Sequence, residues 1–78
     1  MKEEYEFDYS KLKGRIKEKL DVQYKLAEAL NISEVALANK LKNISAFSQK
    51  DIINIIRILD IEPNEISNYF FRIKVKES

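Results

Sequence analysis

Cysteine and histidine are both absent from this chain of 78 residues, and glycine and proline occur once each. The lack of cysteine excludes disulfides and thiol chemistry, and the lack of histidine removes a usual zinc ligand and acid-base group. No pairing of a nucleophile with a base, no metal cluster and no phosphate-binding loop can be assembled from the residues that remain. We therefore expect a protein that is not an enzyme and that uses no cofactor or metal.

Long apolar runs are missing as well. No stretch approaches the ~20 apolar residues that a membrane span requires. The opening residues, MKEEYEF, do not contain the apolar segment of a signal peptide. We expect a cytoplasmic protein without a membrane partner, folded as one domain over residues 1–78. A chain of this length buries only roughly 60% of its unfolded surface, so dimerisation would help its stability.

The charge is nearly balanced overall, at +1, but its distribution is uneven. Nine basic and four acidic residues lie between Lys11 and Lys50, whereas both ends of the chain carry a small negative excess. This basic segment is where a surface that binds phosphate would lie. Five of its cations fall between Lys11 and Lys19, and for these we favour the simpler interpretation of a solvated helix face.

The residues from Gln23 to Leu41 predict two short helices joined by a tight corner. Leu26, Ala27 and Leu30 share one face of the first helix. Asn31 suits the left-handed position just beyond a helix end, and Ser33 can cap the second helix. The inner stripe of that second helix, 34–41, consists of Leu37, Ala38 and Leu41, and its other face projects outward.

This pattern resembles the helix-turn-helix of the lambda-repressor and Cro-like family. The resemblance is carried by Gln23, Leu26, Ala27, Leu30, Ile32, Ser33 and Leu37. The chain departs from the family at Asn31, where a turn glycine is usual, and at Val22, where a capping threonine is usual. We expect Asp21 to cap the first helix in its place. The resemblance implies an all-α, five-helix lambda-repressor-like DNA-binding domain in a phage or prophage regulator.

In the docking geometry of that family, helix 34–41 enters the major groove of double-stranded DNA. Asn39 could pair with adenine, Val35 and Ala36 could contact thymine methyl groups, and Glu34 could accept from cytosine. The complete predicted DNA-binding set is Gln23, Lys25, Ser33, Glu34, Val35, Ala36, Asn39, Lys40, Asn43 and Ser45. Alternatively, Val35 and Ala36 complete a core, and Glu34 only favours the helix dipole.

The flanking segments predict three supporting helices. Ser10 is expected to cap the first, in which Gly14 would need a close packing neighbour. After the polar loop 42–47, whose Ile44 and Phe47 are expected to tuck beneath helix 34–41, Ser48 and Asp51 form a capping box. The run that follows, Ile52 to Leu59, is apolar nearly all round and predicts the central, most buried helix. Pro63 suits the start of a short last helix, whose inner stripe is Ile66, Tyr69 and Phe70.

Both ends of the chain alternate apolar and charged residues. Residues 4–8 carry acidic side chains and residues 71–75 carry basic ones, so the two segments could pair as strands within one chain or across a dimer. The alternative is that they are frayed tails.

Two functions remain open at this point. The first is a sequence-specific transcriptional regulator, a homodimer that occupies a palindromic operator. The second is a modulator that keeps the same fold but binds another repressor protein. The family resemblance favours the first, which is the function we expect. The near-neutral charge, Glu34 on the reading helix and the aromatic residues near both ends support the second as the alternative.

Overall fold

The structure, a computed structural model, describes residues 4–76. It contains five α-helices and two short strands, with a 3-10 turn at Pro63–Glu65. In chain order these elements are β1 (Glu4–Phe7), α1 (Ser10–Leu20), α2 (Gln23–Leu30), α3 (Glu34–Leu41), α4 (Gln49–Leu59), α5 (Ile66–Phe70) and β2 (Ile73–Lys76). The predicted composition of five helices and two terminal strands is confirmed. None of the helices in this part of the chain is both long and apolar enough to cross a membrane.

One apolar core joins the helices. Its buried members are Tyr9, Leu12, Ile16, Leu26, Ala27, Leu37, Leu41, Ile55, Leu59, Ile61 and Phe70. The i, i+4 spacing of Leu12 and Ile16 places both side chains on the inner face of α1, as predicted. Helix α2 contacts α1, α3 and α4, and the small Ala27 lies buried on it.

Helix α4 is less buried than its apolar sequence predicted. Ile55 and Leu59 are fully buried, but Ile53 is exposed and the other isoleucines are half-buried. Helix α4 packs one face on α1 and α2 and leaves Ile53 and Arg57 exposed on the opposite face, so its apolar run is not buried all round. Its predicted capping box is confirmed, since Ser48 Oγ accepts from the Asp51 N–H and Asp51 Oδ2 accepts from the Ser48 N–H, both at 3.0 Å.

Two predictions about α1 are wrong. Ser10 is its first residue and not its cap: the Ser10 N–H instead donates to Asp8 Oδ1 over 2.9 Å. Gly14 has no packing neighbour among residues 4–76, because a Cβ built on it would meet nothing within 4 Å beyond the local backbone of its own helix. Arg15, by contrast, connects α1 to α4 by donating to the backbone oxygens of Leu59 and Asp60, each at 3.0 Å.

The loop after α3 follows its prediction at one end only. Phe47 packs on the core between Tyr9 and Phe70, with edge-to-face ring contacts at 5.3 and 5.8 Å. Ile44, which was expected to tuck beneath α3, is exposed. Farther along, Pro63 begins the 3-10 turn, and the predicted inner stripe of α5 is confirmed, with Phe70 buried and Ile66 and Tyr69 half-buried.

The two strands form one antiparallel ribbon within the chain. Glu6 lies opposite Lys74 and Phe7 opposite Ile73, which confirms the predicted pairing of acidic with basic residues. The Glu6 carboxylate is 3.4 Å from Lys74 Nζ. The alternative of frayed tails therefore does not hold for residues 4–7 and 73–76.

Candidate binding surface on the second and third helices

The corner between α2 and α3 is built by the backbone as predicted. Asn31 has φ 58° and ψ 42°, and its N–H together with that of Ile32 returns to the last turn of α2. Ser33 Oγ then accepts from the Ala36 N–H over 3.0 Å and caps α3. Local hydrogen bonds therefore set the direction in which α3 leaves the corner.

The start of α2 differs from the expectation. Val22 is the residue before the helix, and no side chain caps the first turn. Asp21 has φ 72° and ends α1, with its carboxylate 3.3 Å from Lys17 Nζ. The prediction that Asp21 caps α2 is wrong, because its side chain turns back toward the preceding helix.

The predicted inner face of α3 is confirmed, since Leu37 and Leu41 are buried against the core. On the outer face, Val35 is 69% exposed and Glu34 is exposed beside it, while Ala36 and Asn39 are half-buried. Of the other predicted contact residues, Gln23, Lys25, Ser33 and Ser45 are exposed. The structure thus leaves uncovered the side of α3 that the sequence assigned to binding.

Lys40 turns inward from this surface. Its Nζ donates to the Ala46 backbone oxygen over 2.9 Å and lies 3.3 Å from Asp51 Oδ2, and only 19% of the side chain is exposed. The same ammonium is 6.0 Å from the centre of the Phe47 ring. Lys40 therefore fastens α3 to the following loop and to α4, so its predicted contact with DNA would require these interactions to be replaced.

Asp51 is the anionic partner in this cluster. Burial by itself raises the pKa of its carboxyl group, but hydrogen bonds from Ser48 and Lys40 outweigh that effect and lower the pKa below its usual value of 3.8. The charge of Lys40 is thus compensated within the protein.

Asn43 also has intramolecular partners. Its side-chain amide accepts from the Phe7 N–H and donates to the Phe7 backbone oxygen, both over 2.9 Å. The residue itself adopts a left-handed backbone with φ 65°. The predicted contact of Asn43 with a DNA backbone would compete with these two hydrogen bonds.

The outer face of α3 consequently carries one exposed anion, Glu34, and an exposed apolar group, Val35. The exposed cations nearest in sequence are Lys25 on α2 and Lys42 after α3. Tyr24, which sequence reasoning did not select, is exposed on α2. The sequence could have indicated it, because Tyr24 is an aromatic residue outside the buried stripe of Leu26 and Ala27.

Most of the cations on α1 form ion pairs with carboxylates of the protein. Lys11 Nζ is 3.2 Å from Glu65, Arg15 pairs with Glu18, and Lys17 is paired with Asp21. Lys13 and Lys19 have no ion pair among residues 4–76. These contacts favour the interpretation of a solvated helix face over that of a phosphate-binding surface.

The fold and this surface define a small helical domain with an open α2–α3 face and a terminal β-ribbon. Residues 5–73 match the family described as "Protein of unknown function (DUF739)", and the chain belongs to that family. It is also similar to the modulator of repression (MOR) of the temperate bacteriophage TP901-1 from Lactococcus lactis, whose solution structure superposes with a TM-score of 0.73. The two chains are 35% identical, and the match covers 83% of this chain and 88% of that one. No curated protein matches the chain. The chain is thus related to a phage regulatory protein.

Proposed function

We propose that this protein is a phage-type regulator that acts by binding another transcriptional repressor. The similarity to a modulator of repression, at 35% identity over most of both chains, is the observation that carries the proposal. In this view the protein is a binding module and not an enzyme, and its partner is a protein. Its binding to the repressor would change how much of that repressor is free to act on DNA.

The outer face of α3 supports a protein partner more than a DNA partner. DNA binding depends on cations that neutralise phosphates, whereas Lys40 is already bound to Asp51 and Ala46. The centre of a protein interface is depleted in charge and enriched in apolar contact area. Val35, exposed at the start of α3 with the half-buried Ala36 beside it, suits that role.

The proposal can be tested by titrating the purified protein into a transcriptional repressor encoded in the same genome, with calorimetry as the readout. We expect a stoichiometric complex. Val35→Glu should weaken it by about tenfold or more, because a charge would be buried at the contact. Lys19→Gln is the matched control, since it lowers the net charge by the same single unit at an exposed position of α1 outside the proposed surface. No complex with the repressor, or equal loss for both variants, would overturn the proposal.

The second candidate function is operator recognition by α3 as part of a lambda-repressor-like helix-turn-helix. The left-handed corner at Asn31 and the uncovered outer face of α3 favour it. In this case the protein would be a homodimer on a palindromic site, with Gln23 and Lys25 at the phosphates and Asn39 at a base edge.

A gel-shift titration over a range of salt concentrations separates the two candidates. A DNA reader should lose affinity steeply as salt rises while keeping its preference for the operator. In that case Asn39→Ala should cost roughly 1 to 3 kcal/mol on the operator and little on random DNA. Equal losses on both DNAs would exclude base reading by Asn39.

A further inference from the structure

The two long edges of the β-ribbon are not equivalent. The backbone N–H of Asp8 donates to the Arg72 backbone oxygen. The pairs that exchange ladder hydrogen bonds are therefore Asp8–Arg72 and Glu6–Lys74. The backbone groups of the intervening residues point away from the partner strand. For β1 the outward residues are Tyr5 and Phe7, and for β2 they are Ile73 and Val75.

Only the edge of β1 is closed by a side chain next to the body of the domain. Asn43 takes both outward backbone groups of Phe7, much as a neighbouring strand would do. On β2, no residue between 4 and 76 provides the same cover for Ile73 or Val75. Their N–H and C=O groups form an open edge, which is a template for an additional strand.

The side chains of β2 specify what this edge can accept. Ile73 and Val75 are 62% and 52% exposed and lie on the same face of the ribbon as Phe7. The opposite face of this segment carries Lys74, and Arg72 and Lys76 continue the same alternation in the sequence. A strand that adds here would place apolar residues beside Ile73 and Val75 and its intervening residues beside cations.

A second copy of β2 is a poor occupant of this edge. Apolar and basic residues alternate along this segment. If two copies pair with their apolar residues on the same side, the basic positions 72, 74 and 76 of one copy must therefore lie opposite basic positions of the other. Like charges directly opposite one another destabilise a strand pair. The cations thus select against the pairing of two β2 strands and favour an acidic strand.

We propose that the outer edge of β2 binds an extended segment of a partner protein in which apolar and acidic residues alternate. This inference rests on the proposed function, because it specifies how the protein partner is recognised. Backbone hydrogen bonds to Ile73 and Val75 supply the pairing. Contacts of the partner's carboxylates with the exposed Arg72, and with Lys74, which is half-exposed although its ammonium is 3.4 Å from Glu6, supply the selectivity.

The probe is a synthetic peptide, EVEYEVEV, titrated into the 15N-labelled protein, and its charge-reversed form KVKYKVKV is the control. We expect shifts centred on the amides of Ile73 and Val75, and slower hydrogen exchange at both. The ladder contacts between Glu6 and Lys74 should persist. The lysine peptide should bind about tenfold more weakly or not at all.

A proline at position 75 tests the edge directly. Val75→Pro removes an N–H that points away from β1, so the ribbon should remain paired while binding of EVEYEVEV falls by about tenfold or more. Val75→Thr keeps that N–H and is the matched control, with affinity close to that of the original protein. Spectra that retain the Glu6–Lys74 contacts will show that each variant still forms the ribbon.

Several outcomes would overturn the inference. These are equal binding of the two peptides, unchanged binding to Val75→Pro, shifts centred on α3, or displacement of β1 by the peptide. The repressor titration separates this inference from the proposed function. If the repressor binds the Val75→Pro variant with full affinity, the binding role of the β2 edge is refuted but the proposed function is not. If the peptide binds the protein and the repressor does not, only the proposed function is refuted.

Discussion

The side-chain amide of Asn43 holds the backbone of Phe7 through two hydrogen bonds of 2.9 Å, across 36 positions of sequence. An asparagine amide has one donor side and one acceptor side, so it can satisfy both backbone groups of a single strand residue. This contact joins the loop after α3 to β1 and thereby connects the ribbon to the helical body.

Asn43→Gly should loosen this connection selectively. Glycine accepts the φ of 65° found at this position but removes both side-chain hydrogen bonds. We expect a loss of about 1 to 2 kcal/mol in the free energy of unfolding and faster hydrogen exchange at the Phe7 amide. Asn31→Gly is the control, because Asn31 has a similar φ of 58° but makes no such side-chain contact. Equal effects from the two changes would show that backbone conformation alone matters at position 43.

The capping box at the start of α4 predicts a pH dependence. The carboxyl group of Asp51 has a lowered pKa in the folded state, so the stability it contributes is present above its unfolded pKa, near 3.8, and is lost as pH falls through the lower folded value. Ser48→Ala removes the side-chain hydrogen bonding of Ser48, which contributes to lowering this pKa, but keeps the backbone N–H that donates to Asp51. It should cost about 1 kcal/mol near neutral pH, because the helix loses its cap. In the variant the loss on acidification should begin at higher pH.

Chemical denaturation of both proteins between pH 2 and 7, combined with NMR titration of the Asp51 carboxyl carbon, measures this effect. Ser67→Ala is the control, since Ser67 is an exposed serine outside the capping box. A pKa of Asp51 that is unchanged by Ser48→Ala would mean that the backbone N–H of residue 48 and Lys40 suffice to hold the carboxylate in its charged form.

The adjacent residues Phe70 and Phe71 should respond very differently to truncation. Phe70 is 2% exposed and packs edge-to-face on Phe47, whereas Phe71 is 51% exposed. Phe70→Ala should cost roughly 3 to 5 kcal/mol because it leaves a cavity in the core. Phe71→Ala should cost at most about 1.5 kcal/mol, from its edge contact with Phe7. Thermal unfolding of the two variants gives the comparison, and similar losses would contradict the placement of the Phe70 ring.

Gly14→Ala should stabilise the protein. Gly14 lies inside α1, and apart from the local backbone of that helix no atom of residues 4–76 would lie within 4 Å of a methyl group there. Alanine should therefore contribute about 0.5 to 1 kcal/mol through its better helix propensity. The reverse change at an exposed helical site, Ala29→Gly, should destabilise by a similar amount. A destabilised Gly14→Ala protein would show that the position is packed in solution.

Local signals in the sequence predicted much of the fold. Asn31, Ser33 and the Ser48–Asp51 capping box act within four residues of their own positions, so their roles could be derived without the tertiary structure. The capping predictions for Ser10 and Asp21 were wrong because neighbouring residues compete for the same hydrogen bonds or ion pairs. Asp8 accepts the N–H at the start of α1, and the left-handed backbone of Asp21 turns its carboxylate toward Lys17.

By itself the sequence determined the helices, the corner between α2 and α3 and the apolar stripes. Each of these follows from the period of apolar residues or from hydrogen bonds between near neighbours. The tertiary structure alone decided which polar groups on the candidate surface are already bound. Lys40 is paired with Asp51 and Asn43 with Phe7 because the fold brings distant segments together, and no residue period encodes that proximity.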